Sequence, residues 1–306
     1  MEIKRDRYLR RLIARKHNGM VKIVTGVRGC GKSYLLFNLF REHLKQSGVD
    51  DAHMMSIALD SRENEDCRDV KKLHDRILSL VADDSMHYIL LDEIQLAEGF
   101  EAMINSLLRN ENLDIYVTGS NSRFLSSDVI TEFRGRGDEV NVRPLSFSEF
   151  LSVYDGDKSD ALAGYMDYGG LPALVKLRTD EQKVSYLANM METVCLKDII
   201  GRNRIGLPYL LEDVVDILSS TACSLVNTTK IKDAMLSHGY ESASEDTIAR
   251  YIGFLEDAYL FEKAERYDIK GRRYIGALEK YYPVDHGIAN ARLKFRQISD
   301  RPHIME

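Results

Sequence analysis

The stretch that most narrows what this chain can fold into is "VKIVT" (Val21 to Thr25) followed directly by "GVRGCGKSYLL" (residues 26 to 36). The first segment is short, apolar and β-branched, which predicts a buried strand. The residues after the lysine, "SYLLFNLFREHL", predict a helix with apolar positions on most of its faces. Between them, Gly26, Gly31, Lys32 and Ser33 satisfy the spacing G-x-x-x-x-G-K-[ST]. In that pattern backbone N–H groups wrap phosphates, the lysine reaches the outer ones and the hydroxyl ligates magnesium. Glycine permits the tight turn, and the helix N-terminus adds partial positive charge for an anion. Gly26, Val27, Arg28, Gly29, Cys30, Gly31, Lys32, Ser33 and Tyr34 are therefore the candidate phosphate-binding residues.

A loop of this kind hydrolyses nucleotide only if a carboxylate helps to hold the metal. "HYILLDEIQ" (His87 to Gln95) supplies an apolar run ending in two acids. A buried strand that ends in adjacent carboxylates implies a cation or a water-filled site beyond it, because desolvating bare charge is costly. Asp92 is the candidate for the magnesium shell together with Ser33, and Glu93 the candidate general base acting on water. A third run, "DIYVTGSNS" (Asp114 to Ser122), ends in small polar residues. Ser120 and Asn121, with Thr118 behind them, are candidates for sensing the outer phosphate or placing the water; a plain strand-ending turn remains open for each.

Bulk properties exclude more than they assign. At 306 residues the chain predicts two or three domains, and a net charge of −6 gives no overall drive toward nucleic acid. Four cysteines, Cys30, Cys67, Cys195 and Cys223, lack metal-site spacing and do not form a disulfide framework. No signal peptide and no membrane-spanning stretch is present, so a soluble, cytoplasmic protein is expected.

From Pro144 to about Ile205 helical periodicity replaces the β pattern, interrupted by the turn signal "YGGLP" (Tyr168 to Pro172). Arg202 and Arg204 close this stretch, either as surface residues or as contacts to a γ-phosphate. Leu210, Leu211, Val214, Val215 and Leu218 then fall on one helical stripe. A second helix begins near Asn227 with Ile231 and Met235 inward, and a third places Ile248, Tyr251, Ile252, Leu255 and Tyr259 inward. A hairpin with Lys270, Arg272 and Arg273 near its tip follows, and three helices with a hairpin predict a winged helix. Glu245, Asp246, Glu256 and Asp257, set against Arg250 on the outward face of the third helix, oppose groove insertion. Only the wing tip is a basic candidate for DNA.

"GVRGCGKS", "ILLDEIQ", "YVTGSNSRFL" and "GRGDEVNVRPLSFSEFL" resemble, in that order, the archaeal and bacterial AAA-type P-loop ATPases that carry a C-terminal DUF4143 region. The resemblance covers essentially the whole chain. It implies an α/β fold: a three-layer αβα core of strand order 5-1-4-3-2 over 1–143, a helical lid over 144–205 and a winged helix-turn-helix domain over 206–290. It implies ATP and Mg2+ as ligands, and Arg136 as an arginine acting on a transferred phosphate, in which case a homo-oligomer is needed. Arg134 and Arg123 are weaker candidates, and Gly29 stands where such loops often carry a second arginine. Tyr282, Asp285 and Gly287 match a Y-x-x-D-x-G signature, Asp285 as a turn anchor. Residues 291–306 are expected to begin a truncated endonuclease-like domain, without nuclease activity here. An ATP-hydrolysing switch, a nucleotide-dependent regulator with negligible turnover and a small-molecule kinase all stay open, with the acid pair favouring the first.

Overall fold

Strands that are apolar along their whole length can be buried on both faces only if helices cover both, which is what βαβ crossovers provide. In a computed structural model of the chain, described for residues 3–119, 133, 135–237, 239–240, 244–264 and 278–294, the chain divides into two units, Glu2–Arg143 and Pro144–Glu306 with Met1. Each is considered by itself.

The first unit contains α1 (Asp6–Ile13), β1 (Val21–Thr25), and a continuous helix α2 made of Lys32–Tyr34, a π-helical stretch Leu35–Phe40 and Arg41–Gln46. It continues with β2 (Met54–Ala58), α3 (Val70–Ser79), β3 (His87–Asp92), α4 (Phe100–Leu107), β4 (Leu113–Thr118) and β5 (Gly137–Asn141). All five strands are parallel, in the order β5-β1-β4-β3-β2, so the strand carrying "YVTGS" does lie between the glycine-loop strand and the acid-pair strand. β1, β3 and β4 are buried at every residue, whereas the edge strands β2 and β5 are only partly buried.

One sheet face packs Ile23, Ile57, Ile89, Leu91, Ile115 and Val117 against Leu73 and Ile77 of α3 and Phe100, Ile104 and Leu107 of α4. On the other face Phe40 of α2 packs against Tyr116 at 4.5 Å between ring centroids, the rings tilted by 45°. That face also buries charge. Lys22 pairs with Asp114, whose other oxygen accepts from Tyr116 Oη at 2.9 Å and from His17 N at 3.2 Å. Burial beside this carboxylate pushes the Tyr116 phenol far above its ordinary pKa.

The second unit opens with α5 (Phe147–Leu151), α6 (Lys158–Tyr168) and α7 (Asp180–Asn189), followed by π-helical Met190–Leu196 and α8 (Lys197–Asn203). Ser146 and Thr179 form full capping boxes, each paired with an acid or amide three residues on. Then come α9 (Pro208–Ser220), β6 (Leu225–Val226), α10 (Thr228–Ser237), α11 (Glu245–Asp257), β7 (Phe261–Ala264), β8 (Glu279–Pro283) and α12 (His286–Arg292). The strands form an antiparallel sheet of order β6-β8-β7. The helical stripe of α9 and the inward set Ile231, Met235, Ile248, Tyr251, Ile252 and Leu255 are buried as the periodicity predicts. Tyr259 differs: it follows the end of α11 at φ +56° and is only partly buried, and Leu260 fills the core position instead.

Two further expectations change here. Glu245 does not offer free negative charge, because it accepts from Lys232 Nζ at 2.5 Å, and Glu256 is half-buried, with its carboxyl pushed up by burial. The outward face of α11 is thus less acidic than its sequence. Arg202 is tied to Asp198 on its own helix, and Arg204 ends α8 in the left-handed conformation. The wing-tip residues Lys270, Arg272 and Arg273, and residues 295–306 of the tail, lie outside the described residues. Among the described residues no helix is long and apolar enough to cross a membrane.

The turn at "YGGLP" and the Y-x-x-D-x-G turn are locked together. Asp285 caps α12 by accepting from Ile288 N at 3.2 Å, and its second oxygen accepts from Gly170 N at 2.7 Å. Asn290 adds bonds to the carbonyls of Met166 and Asp167, at 3.2 and 3.0 Å. Arg292 reaches back to Asp216 and Glu212 of α9. The last helix therefore packs on α6 as well as on α9.

Candidate functional site

In an open parallel sheet, ligands bind outside the carboxyl ends of the strands where the strand order reverses. Here β1 delivers the glycine loop to that edge and β3 delivers the acid pair, with β4 between them. Two strand spacings, about 10 Å, separate the two deliveries.

The loop is built by backbone geometry that side chains resist. Gly26, Gly29 and Gly31 have φ of +135°, +81° and +96°. A Cβ on Gly26 would sit 2.0 Å from Val142 O, so this glycine is needed for room as well as for conformation. Gly31 is the left-handed cap from which α2 starts. Arg28, Gly29, Ser33 and Tyr34 are exposed, whereas Val27 and Cys30 are buried. Burial pushes the Cys30 thiol up, with Lys32 and Arg5 opposing. Arg5 was not singled out by sequence; it is buried under the loop and donates to Cys30 O at 3.5 Å.

Lys32 is 5% exposed. Its Nζ donates to Gly26 O at 2.8 Å and Val27 O at 3.2 Å, both neutral carbonyls. Among the described residues it has no ion pair. A buried ammonium held this way retains much of its desolvation cost, which an anion in the loop would offset.

At the end of β3, Asp92 is buried and accepts from Thr118 Oγ1 of β4, and that same oxygen accepts from Glu93 N at 3.1 Å. One hydroxyl thus fixes the carboxylate of Asp92 and the backbone of Glu93. Glu93 has φ +51°, a strained value for a residue with a side chain, and it is partly exposed. Gln95 Nε2 donates to Glu93 Oε2, while Gln95 Oε1 is buried with no hydrogen-bond partner among the described residues. Sequence reading gave Gln95 no role; a polar residue two places after the acids, in an otherwise apolar turn, was the available signal.

The remaining candidates are not gathered at this edge. Ser120, Asn121, Arg123 and Arg134 lie outside the described residues. Arg136 is exposed and its carbonyl accepts from Val21 N at 2.9 Å, which places it at the start of β1, at the opposite end of the strand from the loop.

An AAA domain family model (AAA_14) matches residues 18–151, and a domain of unknown function, DUF8612, matches residues 159–299. The C-terminal match is thus to DUF8612, where the resemblance in the sequence pointed to DUF4143. An uncharacterized protein of Haemophilus influenzae is 34% identical over 94% of this chain and 72% of its own length. An uncharacterized protein of Methanocaldococcus jannaschii is 24% identical over 92% of this chain, which spans 64% of that relative. Among solved structures, the Orc1 protein of Aeropyrum pernix in complex with DNA gives a TM-score of 0.41 at 14% identity, covering 99% of this chain and 95% of that one. A DNA replication initiation factor gives 0.35 at 16%, covering 82% and 86%. At these scores neither structure bears on function. With its glycine loop and five-stranded parallel sheet the first unit is a P-loop AAA-type domain, and the chain belongs to the same family as the Haemophilus influenzae protein.

Proposed function

We propose that this chain binds ATP with Mg2+ and hydrolyses it to ADP and phosphate, and that nucleotide state is passed to the helical region 144–205 and the module that follows it. The observation that carries the proposal is Lys32, a buried cation with neutral partners at the mouth of a loop whose first glycine, Gly26, has no room for a side chain. A triphosphate with magnesium fits those residues. Loop amides from Val27 to Tyr34 would hold the phosphates, and Ser33 and Asp92 would hold the metal. Magnesium, when bound, screens the charge of the triphosphate and polarises its outer phosphorus. The chain's own work is then to orient and to move one proton: Thr118 fixes Asp92, and Glu93 accepts the proton of the attacking water as the water's oxygen bonds to the γ-phosphorus and the bond from that phosphorus to the bridging oxygen of ADP breaks.

Lys32→Ala is expected to weaken ATP binding about 100-fold, the loss of one or two charge-assisted hydrogen bonds. Titration of a fluorescent ATP analogue in Mg2+ checks this, and wild-type affinity in the variant would remove the phosphate reading.

One observation favours a second reading, a regulator that holds ATP and turns it over slowly. Gln95 occupies an oxygen of Glu93, so the base is engaged in the resting structure. Arg136 bears on the same question. About 17 Å of strand lies between it and the loop of its own chain, so any phosphate it touches belongs to another copy. Specific activity of the wild type is expected to rise with protein concentration, while Arg136→Ala stays at its dilute value. A flat wild-type profile across the assembly range would remove Arg136 from the chemistry.

A further inference from the structure

At the end of the sheet remote from the glycine loop, β2 and β3 each start at a histidine. His53 closes the 3-10 turn Asp51–His53 just before β2, and His87 is the first residue of β3. The pairing Met54↔Tyr88 sets them side by side, with ring centroids 4.7 Å apart. Asp83, exposed in the turn between α3 and β3, faces them.

Hydrogen-bond partners fix the tautomer of His87. The carbonyl of Ser85, 2.8 Å from Nδ1, only accepts, so Nδ1 carries the hydrogen. The amide of Ala82, 3.3 Å from Nε2, only donates, so Nε2 presents its lone pair. His53 is held at Nδ1 in the same way, but its Nε2 faces carboxylate oxygens, which only accept, so that nitrogen carries a hydrogen it must release to bind a metal. Its Nδ1 lies 2.6 Å from Asp50 Oδ1, and that oxygen is itself fixed by the amides of Ala52 and His53, at 3.0 and 3.2 Å. Nε2 of His53 is left 3.2 Å from both oxygens of Asp83. Ligand atoms from His53, Asp83 and His87, one each, lie within 4.8 Å of one another.

An imidazole whose Nδ1–H is held by a carbonyl or carboxylate, with Nε2 as the nitrogen left to ligate, has the orientation of a metal ligand with its outer partner already in place. Two imidazoles and one carboxylate suit Zn2+ better than Mg2+ or Ca2+, which prefer oxygen donors throughout. We propose that His53, Asp83 and His87 form a Zn2+ site, with water as fourth ligand, that clamps the starts of β2 and β3. It is distinct from the cradle: the length of β3, about 17 Å, separates His87 from Asp92. Bonds of ~2.0–2.2 Å require the ligand atoms to close by roughly 1.5 Å. Asp83 sits in an exposed turn with room to do so. Entry of the ion costs the long bond from Ala82 N and the contacts of His53 Nε2 with Asp83, and it releases the Nε2 proton of His53 to solvent.

The test uses the full chain, stripped with a chelator and titrated with Zn2+ in competition with a chromogenic chelator, with Co2+ absorption as a readout of tetrahedral geometry. Wild type is expected to bind one ion per chain with a rise in melting temperature. Asp83→Asn and His53→Gln are each expected to weaken binding more than tenfold, and Asp50→Asn, which alters only an outer partner, about tenfold. Lys32→Ala, at the other end of the sheet, is expected to bind Zn2+ as wild type does, which separates this site from the nucleotide reading. His87→Gln alters a buried side chain, so the exposed Asp83→Asn decides if that variant does not fold. Absence of a bound ion in the wild type would overturn the proposal, as would equal binding by wild type and Asp83→Asn.

Discussion

Glu93→Gln is expected to lower ATP turnover by roughly 10²- to 10⁴-fold, the usual contribution of a positioned general base, while ATP affinity stays within about twofold. The asymmetry follows from where the side chain sits. Glu93 lies past the end of β3, held at its backbone by Thr118 and at one oxygen by Gln95, whereas the phosphate-facing groups belong to the loop after β1. Glutamine preserves shape and removes only the ability to take a proton. Asp92, one residue earlier, is buried and tied to the same hydroxyl, so its neighbour's change leaves the proposed metal position intact. Single-turnover and steady-state phosphate release, with nucleotide binding measured in parallel, separate the two effects. Equal turnover in wild type and variant would move the assignment to the regulator reading; loss of binding in step with turnover would mean that Glu93 has a structural role.

The largest expected effect on stability is at Gly287→Ala, about 3 kcal/mol or more of destabilisation in the second unit. A Cβ there would lie 1.8 Å from Tyr168 O, 2.3 Å from Tyr168 C and 2.8 Å from Gly169 N. All three are backbone atoms, and the turn they form has nowhere to go. Gly170 N is bound by Asp285, and Gly170 itself abuts Leu145 O, which a Cβ would meet at 2.3 Å. Gly253→Ala is the control: it is helical, nothing lies within 4 Å, and alanine there is expected to be neutral or stabilising by roughly 0.5–1 kcal/mol. Urea denaturation of the two variants beside wild type reads the difference, and a midpoint for Gly287→Ala at or above that of wild type would refute the packing argument.

The features of the cradle that were legible in the sequence are those set by local chemistry. The glycines of the loop, the apolar runs of β1, β3 and β4, and the acids at the end of β3 each announce themselves within about ten residues. What escaped depends on register between distant strands. Lys22 and Asp114 read as ordinary polar punctuation until the parallel pairing of β1 with β4 puts them in one buried network. The same holds for His53 and His87, which no spacing rule connects. Tyr259 was misread for a different reason: the helical period continues past the residue where φ turns positive, and periodicity does not register a stop. Asp285 was read as a turn anchor from the Y-x-x-D-x-G signature, and the residue it ties across the chain, Gly170, was not legible from that signature.

The bond between Asp285 and Gly170 joins positions 115 residues apart. During synthesis at ~5–20 residues per second, α5 and α6 leave the ribosome roughly ten seconds before the segment that closes their turn. Through that interval Phe147, Phe150 and Tyr165, whose rings cluster at 5.5 Å in the finished unit, lack the His286 ring that completes the group. Until it arrives, an apolar ring cluster stays uncovered in the nascent chain, which is the stretch of synthesis most open to misassociation.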